Sequence, residues 1–92
     1  MIQKRMRRDR LEILINILEI CSKDEANKTK IVYQTNINFR VANLYLDMLV
    51  KEDLVKVVNP GPRERYVTTK NGMVIIEKVK QVYDCMELYS IK

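Results

Sequence analysis

Ninety-two residues, 47% of them hydrophobic, are enough for one domain with a single compact core and little stability to spare. Lys and Arg number 17 against 12 Asp and Glu. The net charge of +5 favours polyanionic partners through long-range attraction, although solubility alone would also account for it. There is no His, and Cys21 and Cys85 lie far apart, beside Ile20 and Met86. A structural zinc site therefore lacks its ligands, and no metal or cofactor is expected. The two cysteines could pair, but both are read as reduced thiols on apolar helix faces. With a charged opening and no run near the roughly 20 apolar residues of a membrane span, the expectation is a cytoplasmic chain, neither exported nor membrane-bound.

Lys4, Arg5, Arg7, Arg8 and Arg10 stand against the single carboxylate of Asp9, so residues 1–8 form a basic arm. Arg7 and Arg8 are its candidates for phosphate, and a frayed lead-in to a helix is compatible with that role. A first helix is expected from Asp9 to Ser22, its apolar stripe running through Leu11, Leu14, Ile15, Leu18 and Cys21. Residues Lys23 to Ala26 are polar and aperiodic. Asn27 then caps a second helix through Lys28, Ile31, Val32 and Tyr33. Ser22 and Glu25 also have capping-box spacing, but a helix opening there would leave almost no link.

Thr35, Asn36 and Ile37 break the chain, and Asn38 caps a third helix reaching Glu52. At 100° per residue, Ala42, Tyr45, Leu46 and Leu49 share a core sector, while Arg40, Leu44, Asp47 and Lys51 point the other way. Phe39 could stack on a base, but its place beside the core sector favours packing. Leu54 to Val58 and Arg65 to Thr68 are β-rich runs. The intervening Asn59-Pro60-Gly61-Pro62-Arg63-Glu64 supplies few donors and reads as a protruding loop, with Arg63 near its tip and Arg65 and Lys56 beside it. Thr69 caps a last helix from Lys70 to about Tyr89, along which Ile75, Val79, Val82, Met86 and Tyr89 alternate by four and three, with Ile76 and Tyr83 widening the stripe. Such a helix is about 30 Å long at 1.5 Å per residue, more than so small a domain can cover. Its far half should find an apolar partner in a second copy, unless it folds back on the first helix.

Catalysis finds no footing here. There is no His, no glycine-rich phosphate loop and no nucleophile beside a base; Asp24-Glu25 and Glu52-Asp53 read as solvated loop and helix-end residues. The element order is instead that of a winged helix-turn-helix, an α+β, mostly α fold: residues 9–70 form the body and 71–92 a dimerisation helix. On double-stranded DNA, helix 38–52 would enter the major groove and the 59–65 wing would ride the backbone. Arg40 is the best base or phosphate contact, Asn43 a weaker one, and Asn38 chiefly a cap. Lys28, Lys30, Lys51, Arg63 and Arg65 would serve phosphates. Leu44 and Asp47 in mid-face argue against extensive base reading, since one can only touch a thymine methyl and the other repels phosphate unless it meets a cytosine amine.

Three segments carry a wider likeness: Arg7-Arg8-Asp9-Arg10-Leu11-Glu12-Ile13, Ala26-Asn27-Lys28-Thr29-Lys30-Ile31-Val32-Tyr33 and Tyr66-Val67-Thr68-Thr69-Lys70-Asn71-Gly72. In these the chain resembles the archaeal winged helix-turn-helix family of ten-kilodalton chromatin-type proteins and predicted transcriptional regulators. The resemblance implies a homodimer joined by an antiparallel coiled coil of the last helices, with Ile75, Val79, Val82, Tyr83, Met86 and Tyr89 at the seam. Departures are Asn38-Phe39-Arg40-Val41-Ala42, where the family often has a Ser-Tyr-Lys-Gln-Leu type opening, Glu52-Asp53 in place of Lys-Gly, and Asn71 in place of a common Lys. Asp53 tolerates a left-handed backbone, so that turn should survive. The expected function is transcriptional regulation; a non-specific architectural chromatin protein and a protein-interaction module are the alternatives, and no small-molecule ligand is evident.

Overall fold

The structure, a computed structural model, describes residues 10–88. Arg7, Arg8 and Tyr89, expected at the arm and the seam, lie outside these residues. Six elements follow in order: α1 (Arg10–Lys23), α2 (Lys28–Thr35), α3 (Phe39–Lys51), β1 (Val55–Val58), β2 (Arg65–Thr68) and α4 (Lys70–Leu88).

Helix α1 runs through the core, packed against α2, β2 and α4. Cover on several sides widens its buried face beyond the expected stripe, so that Ile17 is fully buried with Ile15, Leu18 and Cys21. Leu11, at the start of the helix, is exposed instead. The Thr68 hydroxyl donates to the Leu18 carbonyl at 2.7 Å, tying β2 to this helix inside the core. Such a buried bond stabilises by about 1 kcal/mol and fixes where β2 sits.

Three asparagines punctuate the α2–α3 region. The Asn27 side chain accepts from the Lys30 amide at 2.8 Å, and the Asn38 side chain accepts from the Val41 amide at 2.8 Å. Each satisfies one of the amides that a helix start leaves free. Between them Asn36 closes α2 in the left-handed region at φ 60°, a conformation Asn accepts more readily than most residues. The Thr35 hydroxyl, fully buried, donates to the Ile31 carbonyl.

After α3, Asp53 adopts φ 61°, so the turn expected of Glu52-Asp53 is present. Its carbonyl accepts from the Thr69 hydroxyl at 2.7 Å and its carboxylate from the Asn71 side chain at 3.0 Å, which couples the end of α3 to the start of α4. Strands β1 and β2 pair antiparallel, with Val55 opposite Thr68 and Val58 opposite Arg65. Alternation along each strand turns Val55, Tyr66 and Thr68 into the core and leaves Lys56 and Arg65 on the solvent side. Ala26, in the segment read as an aperiodic link, forms a bridge to Tyr66 through two backbone hydrogen bonds of 3.1 and 2.8 Å. The ribbon thus gains a one-residue third edge just ahead of α2.

Helix α4 starts on Thr69, whose hydroxyl accepts from the Gly72 amide at 3.1 Å. Gly72 is buried where a Cβ would lie 2.3 Å from the Leu54 carbonyl oxygen and 2.5 Å from Thr68 Cγ2. Only a residue without a side chain lets the helix approach so closely. Ile76 joins the core, and Ile75 and Val79, expected at the dimer seam, pack half-buried against this same core. From Lys80 to Met86 every residue is exposed. The reading of both cysteines as core thiols is therefore half right: Cys21 is buried, whereas Cys85 is exposed because nothing in the body reaches that far along α4.

Candidate nucleic-acid interface

Helix α3 presents the two faces its spacing requires. Ala42, Leu46 and Leu49 are buried and Tyr45 is half-buried, while Arg40, Asn43, Leu44, Asp47 and Lys51 are exposed. Residues 40, 44, 47 and 51 recur every three or four positions, so their side chains rise along one stripe. Phe39, expected to pack, is 50% exposed, and Ile37 in the preceding turn is the side chain that packs against the core at this end of α3. Asn38 uses its side-chain oxygen on the Val41 amide, so its main part is that of a cap.

The loop between β1 and β2 is held from within. Asn59 and Gly61 take φ values of 53° and 112°; the Glu64 amide donates to the Gly61 carbonyl at 3.1 Å and the Asn59 side chain to the Arg63 carbonyl at 3.2 Å. These bonds present Arg63 as an exposed side chain at the end of the ribbon, with Arg65 and Lys56 exposed along it.

The two lysines of α2 do not act together. Two positions apart on a helix, Lys28 and Lys30 diverge by 200°. Lys28 faces β2, 3.8 Å from the Glu64 carboxylate and 6.0 Å from the centre of the Tyr66 ring. Glu64 also accepts from the Tyr66 hydroxyl at 2.8 Å. Burial, that hydrogen bond and the nearby charges of Glu64 and Asp47 push the Tyr66 phenol above its ordinary range, so it serves as a neutral donor. The Lys28–Glu64 pair is partly exposed and contributes at most about 1 kcal/mol. Lys30 lies on the other flank, in a groove of about 340 Å³ with Asn16, Glu19, Ile20, Lys23 and Gln34. The Lys28–Glu64–Tyr66 cluster was not anticipated. Its one sequence signal is that Glu64 and Tyr66, two apart at the start of a strand, share a side of it.

Among the described residues no group of His, Cys, Asp and Glu could hold a metal ion, and no helix is long and apolar enough to cross a membrane. The arrangement is one of display: a helix with cations on its open face beside a ribbon whose outer side and tip are also cationic.

A family model described as winged helix-turn-helix matches residues 7–87. The chain belongs to this family. Among solved structures, this winged helix is similar to Sso10a-2, a DNA-binding protein from Sulfolobus solfataricus, with 31% identity, a TM-score of 0.77 and coverage of 90% of this chain and 87% of that one. It also shares its fold with the homodimeric winged helix-turn-helix DNA-binding domain of Mb0332 from Mycobacterium bovis, a possible ArsR-family regulator, at 22% identity, TM-score 0.65 and coverage of 83% and 70%. Among curated sequences, an uncharacterised protein of Methanocaldococcus jannaschii is 25% identical over 90% of this chain and 81% of its own length.

Proposed function

We propose that this winged helix binds double-stranded DNA as a homodimer and acts as a transcriptional regulator in the cytoplasm, associated with the nucleoid. The observation that carries the reading is the open face of α3, with Arg40 and Lys51 exposed on a helix whose other face is buried in the core. A helix held in this way fits the major groove, and a neighbouring ribbon with Arg63 and Arg65 fits the flanking backbone. Arg40 is assigned to a base edge or a phosphate, Asn43 to a weaker base contact, and Lys51, Arg63 and Arg65 to phosphates. Arg7 and Arg8 would add phosphate contacts from the arm. Lys28 must first leave Glu64, and Lys30 is directed toward α1, so both contribute less. The homodimer is supported by Val82, Tyr83 and Met86, apolar and exposed on the part of α4 that leaves the body. An antiparallel coiled coil of two such helices would cover them.

A second reading, an architectural protein with little sequence preference, is favoured by one observation: Asp47 stands exposed in the middle of the presented face, where it limits what α3 can contact. Titrating a candidate operator and a random duplex at several salt concentrations separates the two. A regulator binds its operator about a thousandfold or more tighter. A ratio near one at every salt concentration rejects the regulator and keeps the architectural protein; no binding to either duplex rejects both. Arg63→Ala should flatten the salt dependence by roughly one phosphate contact, and Arg40→Ala should cost about 1–3 kcal/mol if it reads a base.

A further inference from the structure

We infer that Leu44, with Met48 beside it, adds one apolar base contact to the few that α3 makes, and that its ligand is the 5-methyl group of thymine on the floor of the major groove. This rests on the proposed duplex binding but not on the choice between regulator and architectural protein. At 100° per residue Arg40, Leu44 and Lys51 fall within about 40° of one another on the stripe that also holds Asp47, and Met48 flanks Leu44 on the side away from Asp47. The two inner side chains are apolar and open to water, Leu44 at 62% and Met48 at 38%, and neither belongs to the core cluster. The two outer ones are cations, exposed and, among the described residues, in no ion pair.

The order of these groups matches a cross-section of the groove. Arg40 and Lys51 are eleven residues apart, about 16 Å along the axis at 1.5 Å per residue. The major groove is about 12 Å wide between its phosphate walls. Cations at that separation can meet both walls while the middle of the helix faces the floor. On the floor the thymine methyl is the apolar group that a base pair presents. Contact with Leu44 removes apolar surface of both partners from water, which is the source of the gain. Asp47, three positions after Leu44, keeps the centre of the helix off the strands by repelling phosphate and tolerates a cytosine amine next to the thymine. Cations at both ends of the strip complement a polyanion, which is why the duplex is taken as its occupant.

The test compares an A·T-rich duplex with the same duplex carrying deoxyuridine for every thymine, a change that deletes the methyl groups and retains the base-pairing edges. Both are titrated against the intact chain and against Leu44→Ala, which alters an exposed side chain. The parent should prefer the thymine duplex by about fourfold for each methyl covered, equivalent to ~0.8 kcal/mol per buried carbon. Leu44→Ala should bring the ratio to about one through loss of affinity for the thymine duplex alone. Equal affinity of the parent for both duplexes overturns the inference while leaving duplex binding intact. So does a preference that survives in Leu44→Ala, because the discrimination then arises from duplex shape. A parent that binds neither duplex overturns the proposed function as well.

Discussion

The two halves of α4 carry the same kind of apolar spacing and meet opposite fates. Gly72, Ile75, Ile76 and Val79 are drawn onto α1 and the ribbon, whereas Val82, Tyr83 and Met86 continue the stripe into water. Periodicity specifies which side of a helix wants cover. It does not specify what supplies the cover, because that depends on how far the rest of the body extends. The most disruptive way to break the docked half is at its closest approach. A methyl group on Gly72 would meet the Leu54 carbonyl and Thr68 Cγ2 well inside contact distance, and the backbone partner cannot swing aside. Gly72→Ala should therefore destabilise the body by about 3 kcal/mol or more in urea unfolding. A loss under about 1 kcal/mol would mean that the helix is not held against β1 and β2 as described.

Truncating one residue in each half sharpens the contrast. Ile76→Ala opens a cavity beside α1 and should cost about 2–4 kcal/mol. Val82→Ala, at a residue 57% exposed, should move the unfolding midpoint of a dilute, monomeric sample very little. In the proposed dimer the Val82 change acts elsewhere: the association constant measured by sedimentation should fall while the monomer's stability holds. Equal losses of monomer stability at both positions would erase the distinction between docked and projecting halves.

How much of this was legible in the sequence follows from the range of the forces concerned. The caps at Asn27, Asn38 and Thr69, the left-handed Asp53 and the core face of α3 are local events, decided within one turn of chain, and each follows from residue type and spacing. The same reasoning placed Arg40, Lys51, Arg63 and Arg65 on the outside. What escaped was set by partners remote in sequence. Ala26 bridges to Tyr66, Lys28 turns to Glu64, Ile17 is covered because several elements converge on α1, and Phe39 is left open because Ile37 packs at that end of α3. The Lys28 case bears on the site itself, since a cation counted for phosphate already has a carboxylate beside it.

A smaller effect probes how the body beneath the docked half is held together. The Thr68 hydroxyl is the buried polar link between β2 and α1, and Val has nearly the same shape without the donor. Thr68→Val should cost about 1 kcal/mol in urea unfolding. An unchanged midpoint would show that packing alone sets the distance between ribbon and helix.

The two cysteines give the finest comparison, one in the body that receives the docked half and one on the projecting half. Cys21 is sealed in the core, and burial pushes its thiol up to about 12 against the opposing charge of nearby Lys30. Cys85 stands exposed on the projecting half. A thiol-specific reagent should therefore modify Cys85 in the native protein and reach Cys21 only when the chain opens, because the thiolate is the reacting species and its formation is suppressed inside. The same burial has a consequence for stability. A thiol that ionises near 9 when unfolded and about 12 when folded holds its proton more tightly in the folded state. Its stabilising contribution is complete below pH 9 and is lost as pH rises toward 12, by about 1 kcal/mol at pH 10. Tyr66, raised in the same direction, steepens the loss above its ordinary range near 10. Unfolding curves of Cys21→Ala should accordingly fall less steeply than the parent's between pH 8.5 and 10.5. Parallel curves for the parent and Cys21→Ala would show that water reaches Cys21 and that the core is looser around α1 than its burial implies.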